Sequence, residues 1–274
     1  CIRDRRAIEK AREKVADLLN ARPEEIIFTS GGTEADNMAL KGIAFANRKR
    51  GNHIVTSKIE HNAILNTCRW LEKQGFKVTY ISVDKYGVVD LDELKQSLTD
   101  KTILISIMHA NNEVGTVEPI LEIATIAREK GIYFHTDAVQ TVGKLPIDVK
   151  NLGVDLLSIS AHKIYGPKGV GALYIRRGVR IESLIHGGHH ERGKRAGTEN
   201  VPGIVGLGKA CQIAMGEQRE KAAKIGKLTD MLYEGLKSKI GELILNGHPQ
   251  KRVPGILNIC VRWVEAVSYT HLTL

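Results

Sequence analysis

One lysine, Lys163, stands where a side chain can do chemistry. Residues 154–159 are apolar and predict a buried strand, which is followed by Ser160, His162, Lys163 and a glycine-rich turn. A lysine just past a buried strand can lie in a site with little water, where desolvation lowers the pKa of the ammonium group and frees the amine to form an imine. The alternative is an ordinary surface lysine in a loop.

Two further features near the predicted strand ends suit an anion. Ser160 and His162 flank Lys163, and an anion held beside a reactive lysine favours pyridoxal phosphate. In the second feature, Gly31, Gly32 and Thr33 lie between a predicted strand and a predicted helix, an arrangement that can cradle a phosphate. The alternative here is a plain helix start with Thr33 as its N-cap.

The elements that must position these residues alternate between strands and helices, which predicts an α/β fold with a mostly parallel sheet covered by helices. The apolar spacing predicts helices over residues 5–19, 33–47, 63–74, 91–98, 120–130 and 201–240, the last as one helix or two. The predicted strands are 25–29, 53–56, 78–83, 102–108, 132–135, 154–159, 171–176, 242–245 and 255–264.

Polar residues follow four of the predicted strands. They occupy 60–62, 109–113, 136–140 and 160–163. Ligands of open α/β sheets bind at the carboxyl ends of the strands. We therefore expect these four clusters to form one site.

The segment 185–200 is rich in glycine, histidine and basic residues, and this composition allows three interpretations: a P-loop, a metal site or an anion-facing loop. It contains G-x-x-x-x-G-K, but Arg195 stands where a P-loop needs Ser or Thr. His186, His189 and His190 lack a carboxylate or cysteine at ligand spacing, so we predict no metal site. A loop that faces an anion fits best.

Composition narrows the functional class. The 274 residues are 42% hydrophobic and carry a net charge of +9, with 40 basic residues spread among 31 acidic ones. A solvated basic surface is therefore favoured over nucleic-acid binding. No apolar run reaches membrane-spanning length, and the four cysteines form no CxxC pair, which suits a reducing, cytoplasmic location. Cys211 lies on an apolar helical stripe, Cys68 in a helix and Cys260 in a strand, where we expect it to be packed.

Taken together, the motifs resemble class V pyridoxal phosphate (PLP) enzymes, and among them the cysteine desulfurases of the NifS/IscS type. The matching stretches are 29–34, 60–63, 108–115, 135–140, 160–169 and 186–200. The resemblance implies a PLP fold type I large domain over 1–218 and a partial small α+β C-terminal domain over 219–265. Residues 266–274 do not resemble the family's continuation, so we expect a foreign tail there and a missing segment before Cys1.

The resemblance also implies roles for single residues. Lys163 would hold the cofactor through an imine and shuttle the substrate α-proton, and His61 would stack on the cofactor ring. Asp137 would pair with the pyridine nitrogen, Gln140 with the 3′-oxygen, and Asn112 would face cofactor and substrate. The phosphate ligands would be Gly32, Thr33, Ser160 and His162, joined by Thr198 reaching into a neighbouring subunit of a homodimer.

The implied reaction converts L-cysteine to L-alanine and passes sulfur to an enzyme cysteine as a persulfide. A sulfur-acceptor protein, either an iron–sulfur scaffold or a tRNA thiolation enzyme, would then receive it. The family's nucleophilic cysteine follows the strand matched by 256–264, so we expect it beyond this chain. Alternatives are another class V reaction, such as that of an aminotransferase or a selenocysteine/cysteine lyase, and a non-enzymatic nucleotide-binding module.

Overall fold

A computed structural model describes residues 2–263. The helices are α1 Ile2–Leu19, α2 Gly32–Ala46, α3 Asn62–Lys73, α4 Leu91–Ser97, α5 Ile120–Glu129, α6 Val149–Leu152 and α7 Val201–Lys239. The strands are β1 Ile26–Thr29, β2 His53–Ser57, β3 Lys77–Ile81, β4 Thr102–Ser106, β5 Tyr133–Asp137, β6 Leu156–Ser160, β7 Gly171–Ile175, β8 Leu243–Asn246 and β9 Asn258–Val261.

Seven strands form one mixed sheet in the order β1-β7-β6-β5-β4-β2-β3. Strands β6, β5, β4, β2 and β3 pair in parallel, whereas β7 runs antiparallel to both of its neighbours. Four of the five parallel strands are buried along their whole length or nearly so, as expected for a sheet covered on both faces. The predicted α/β architecture is confirmed.

Two apolar cores lie on the two faces of this sheet. Helices α2 and α3 cover one face, with Met38, Ile43 and Leu71 fully buried. Helices α1, α5 and the start of α7 cover the other, with Leu19 and Ile123 in the core. The helices therefore fix the sheet and leave its carboxyl edge open for a site.

The helix that starts at Gly32 differs from the sequence-based alternative. Its N-cap is Gly31, with no side-chain cap, and Thr33 lies inside the first turn. Gly31 has φ 154 and ψ −177, a region almost exclusive to glycine. Thr33 as N-cap is therefore wrong, and its side chain is left available for other partners.

The carboxyl-terminal part of the described chain contains one long helix and one hairpin. Helix α7 is continuous, so the predicted boundary between 218 and 219 falls within it. Strands β8 and β9 pair antiparallel as a separate two-stranded sheet. The division into domains stays a prediction, and the segment 266–274 lies outside the described residues.

The three cysteines among residues 2–263 are two buried thiols and one exposed thiol. Cys68 and Cys211 are fully buried, and burial raises the pKa of each thiol to about 12. The expectation that Cys260 is packed is wrong, because its side chain is exposed on the short two-stranded sheet.

Candidate active site

The predicted polar clusters meet at a cavity of about 250 Å³. It lies where the carboxyl ends of the parallel strands adjoin the start of α2. Its lining contains every predicted site residue except Thr198: Gly32, Thr33, His61, Asn112, Asp137, Gln140, Ser160, His162 and Lys163. Met108, Ala110, Val139 and Asp36 complete the lining.

Lys163 lies on a single 3₁₀ turn, Ala161–Ile164, that leaves the end of β6. The turn is anchored by the buried side chains of Ala161 and Ile164 and ends at Tyr165 in a left-handed conformation. The expected dry environment is wrong for this residue, because Lys163 is exposed. A turn that projects over the cavity mouth keeps its side chain in contact with solvent.

Asp137 is the last residue of β5 and lies on the cavity's inner wall. The parallel register sets it beside Ser158 of β6, the strand that delivers Lys163. It is 7% exposed, and its Oδ1 accepts a hydrogen bond of 2.9 Å from the Val139 amide. Burial raises the pKa of Asp137, while that hydrogen bond and the nearby charges of His61 and Lys163 work against the rise.

His61 is both a cavity residue and the N-cap of α3. Its Nδ1 accepts a hydrogen bond of 3.1 Å from the amide of Ala63. This fixes the ring, and in the neutral side chain it assigns the proton to Nε2. Sequence reasoning identified the residue but not the cap.

Asn111, a member of the predicted 109–113 cluster for which no individual role was predicted, holds two loops of the cavity together. Its Oδ1 accepts hydrogen bonds from the amides of Glu113 and Val114, at 2.8 and 3.0 Å. Its Nδ2 donates to the carbonyl of Ile59 at 3.0 Å. A buried amide therefore ties the loop carrying Asn112 to the loop that leads to His61.

One side of the cavity combines the start of α2 with two side chains, Ser160 and His162, from the lysine turn. The first amides of α2 have no partner within the helix and carry partial positive charge. Ser160 Oγ and His162 Nδ1 share a hydrogen bond of 2.8 Å, which fixes the two side chains relative to each other. This donor set is suited to a phosphate group.

A second lysine lies close to the cavity. Lys144 is half-buried, and its Nζ donates to Oε1 of Gln140 at 3.1 Å. Burial and the charge of Lys163 lower its pKa. This contact engages the amide oxygen of Gln140, so the amide nitrogen can donate to another acceptor.

Thr198 lies outside the cavity. It is exposed and borders a separate small pocket with Gly197, Glu199 and Arg195. Arg195 joins this segment to α2 through an ion pair with Glu34, Nε to Oε1 at 2.8 Å. Among residues 2–263 no group of three or more His, Cys, Asp or Glu side chains could hold a metal ion.

The same segment contains a buried ion pair that the sequence did not indicate. The Glu191 carboxylate accepts hydrogen bonds from Nη1 and Nη2 of Arg12, at 2.7 and 2.8 Å. Its Oε2 also accepts a hydrogen bond from the amide of Phe28. Glu191 and Arg192 both have positive φ, at 46° and 57°. The ion pair therefore fixes a strained turn beside the start of the sheet.

Two buried carboxyls lie at the cavity: Glu60, a member of the predicted 60–62 cluster, and Asp36, which the sequence pattern did not indicate. Glu60 accepts hydrogen bonds from Ser57 Oγ at 2.6 Å and from the amide of Met108, and burial raises its pKa to about 8. Asp36 lies on the cavity wall and is 1% exposed. An aspartate inside an amphipathic helical pattern gives no sequence signal of burial.

Fold and site together define an α/β protein with a lysine turn and a helix start facing each other across the carboxyl edge of a parallel sheet, as in PLP fold type I enzymes. The chain belongs to the class-V aminotransferase family, whose model matches residues 3–273. Enzymes of this family are generally PLP-dependent.

Individual relatives give a closer comparison. A cysteine desulfurase IscS from Methanosarcina thermophila is 60% identical over 262 residues, which are 96% of this chain and 65% of that protein. A solved NifS-like protein aligns with TM-score 0.95 at 45% identity, covering 99% of this chain and 74% of its own. The structure of SspA in complex with cysteine aligns with TM-score 0.87 at 38% identity, and the alignment covers 99% of this chain and 76% of the SspA chain. The chain thus spans about two thirds of the curated relative.

Proposed function

We propose that this chain is the greater part of a PLP-dependent cysteine desulfurase. The observation that carries the proposal is the convergence of Lys163, Asp137 and the start of α2 on one cavity. The similarity to a cysteine desulfurase IscS and to a structure solved with cysteine supports this choice of reaction.

The residues of the cavity fit pyridoxal phosphate. The amides of Gly32 and Thr33, with Ser160 and His162, offer donors for the phosphate. The buried Asp137 offers an anion for a protonated ring nitrogen, and the Gln140 amide nitrogen a donor for the 3′-oxygen. When bound, the cofactor supplies an electron sink for the carbanion formed at the substrate α-carbon.

The chain's own side chains then have distinct tasks. Lys163 would hold the cofactor through its Nζ, the atom that would also move the substrate α-proton. His61 would lie against the cofactor ring, and its Nε2 is the atom from which it can give a proton. Asn112 lies on the same wall and orients the cofactor and the substrate.

The overall reaction balances without an external oxidant. L-Cysteine and an enzyme thiol give L-alanine and an enzyme persulfide, so the substrate C–S bond breaks and an S–S bond forms. The carbon is reduced, the transferred sulfur is oxidised, and the thiol proton is retained in the products. Cys68 and Cys211 are unsuited as acceptors because burial keeps both thiols protonated. The accepting cysteine is proposed to lie in the part of the relatives that this chain does not span.

Partners and location follow from the same proposal. Thr198 is exposed and separated from the cavity, which agrees with a role towards the phosphate of a second copy in a homodimer. A sulfur-acceptor protein is the proposed recipient of the persulfide. Within residues 2–263, none of the helices has the length and hydropathy to cross a bilayer. The three cysteines in the described part of the chain are unpaired, which suits a cytoplasmic location.

Product analysis tests the proposal. The full-length protein is incubated with PLP and L-cysteine, and alanine, sulfide and keto acid are measured together. Equal amounts of alanine and sulfide in the presence of a reductant are expected. A keto acid in place of alanine would indicate an aminotransferase, and turnover of selenocysteine alone would indicate a lyase; either result contradicts the desulfurase.

A further inference from the structure

Asp36 is a second carboxyl on the inner cavity wall, and one of its oxygens has no partner. It lies in the second turn of α2, past the first turn in which a helix start stabilises anions. Its Oδ1 is buried and has no hydrogen-bond partner among the described residues. A buried anion in this position is costly unless a cation or a proton neutralises it.

The groups that face Asp36 do not supply a cation. The carboxyls of Asp137 and Glu60 both raise its pKa, in addition to its burial, which is the largest cause. His135 has its Nε2 3.7 Å from Asp36 Oδ1, but burial lowers the pKa of His135 to about 3, so the ring is neutral. Lys163 and His61 act on Asp137.

A chain of hydrogen bonds ends at Asp36. Ser106 Oγ lies 2.9 Å from His135 Nδ1, and His135 Nε2 lies 2.9 Å from Ser158 Oγ. A hydrogen bond from Ser158 to Asp36 opposes the rise in the aspartate's pKa. A neutral imidazole has one N–H, so the consistent direction runs from Ser106 through His135 and Ser158 to one oxygen of Asp36. The other oxygen, Oδ1, is left for the proton.

We propose that Asp36 is a positioning residue that remains a neutral carboxylic acid and leaves Asp137 as the single anion of the inner wall. The inference rests on the proposed function, because the partner of Asp137 would be the ring nitrogen of the cofactor. Two neighbouring carboxyls in a dry site share protons rather than both ionising. The proton on Asp36 lets Asp137 remain charged next to Glu60, whose pKa is also raised by burial.

The first test needs no cofactor. Infrared difference spectra of the full-length apoprotein compare the wild type with Asp36→Asn at neutral pH. Loss of a protonated carboxylic-acid band is expected, and loss of carboxylate bands instead would overturn the proposal. The matched control is Glu118→Gln, since Glu118 is another buried carboxyl whose pKa burial raises to about 8.

The second test measures how substitutions of Asp36 affect the pairing between Asp137 and the cofactor ring. The pH midpoint of the bound cofactor's absorption is measured for Asp36→Asn, Asp36→Ala and Glu118→Gln. Asparagine mimics the neutral acid, so the proton affinity of the bound cofactor in Asp36→Asn should stay within about threefold of the wild-type value. The same is expected for Glu118→Gln. Asp36→Ala removes the acceptor of Ser158 and should lower PLP affinity roughly tenfold. A midpoint shift of about one pH unit or more in Asp36→Asn is the sign of a lost charge and would overturn the proposal.

The two tests separate this inference from the proposed function. If the wild type shows no Lys163-dependent absorption band, the proposed function fails while the infrared result still decides the state of Asp36. If the band is present and the infrared spectrum shows an ionised Asp36, the inference fails and the proposed function stands.

Discussion

Replacing Glu191 by alanine should cost about 3 kcal/mol of folding stability. The side chains of Arg12 and Glu191 are 4% and 3% exposed, so removing the carboxylate leaves a buried cation whose remaining carboxylate partner is the half-exposed Glu9, 3.3 Å away. Breaking a buried pair costs roughly 3–5 kcal/mol, and the orphaned Phe28 amide adds to this. Water can enter the neighbouring open cavity that both residues line, so we expect the lower end of the range.

The assay is urea unfolding monitored by circular dichroism, arranged as a double-mutant cycle. Replacing both partners, Arg12→Met with Glu191→Leu, removes the unpaired charge and should recover most of the loss. Glu191→Gln keeps an acceptor for the Phe28 amide and separates the hydrogen bond from the charge. The reasoning is refuted if Glu191→Ala costs less than about 1 kcal/mol, or if the double variant loses the sum of the losses of Arg12→Met and Glu191→Leu measured singly.

Three other changes give predictions with clear signs. Glu118 has a pKa of about 8 in the folded chain against 4.5 for the free group, so it contributes a loss of stability as pH rises from about 4.5 to 8. In urea unfolding at pH 8, Glu118→Gln should therefore be more stable than the wild type by on the order of 2 kcal/mol, and the two should converge near pH 4. Gly171→Ala should destabilise by about 3 kcal/mol, because the added Cβ would lie 2.6 Å from the Ile159 carbonyl oxygen and 2.8 Å from the backbone of Gly31. Its matched control, Gly226→Ala in the exposed part of α7, meets nothing within 4 Å and should stabilise by about 1 kcal/mol in the same unfolding assay. Asp137→Asn should lower PLP affinity in fluorescence titrations by about tenfold or more, since the ring nitrogen loses its anion; unchanged affinity would contradict that pairing.

The alternation of apolar strands and amphipathic helices predicted most of this fold. Because parallel strands place their carboxyl ends at one edge of the sheet, the sequence alone predicts that the clusters around His61, Asp137 and Lys163 lie close together. The antiparallel β7 could not be foreseen, since a run such as Gly171–Ile175 has the same apolar pattern in either direction. The predicted carboxyl ends of β2, β5 and β6 were one or two residues short, whereas the predicted end of β4 was two residues too long.

The features that were missed depend on long-range contacts. The pair Arg12–Glu191 joins residues far apart in the chain, and either residue alone reads as a surface charge. Asp36 has the same difficulty, because its burial depends on the sheet beneath α2 and not on its own neighbours. The exposure of Lys163 and Cys260 was likewise set by tertiary context: one lies over an open cavity, the other on a two-stranded sheet.

The central claim is that Lys163 holds the cofactor, and borohydride reduction tests it directly. The full-length protein is loaded with PLP, reduced, digested and mapped by mass spectrometry, with Lys163→Ala as the control. The account predicts one pyridoxyl-modified peptide, which contains Lys163 and disappears in the variant. Modification of Lys144 in the wild type, or of no lysine at all despite bound cofactor, would contradict it.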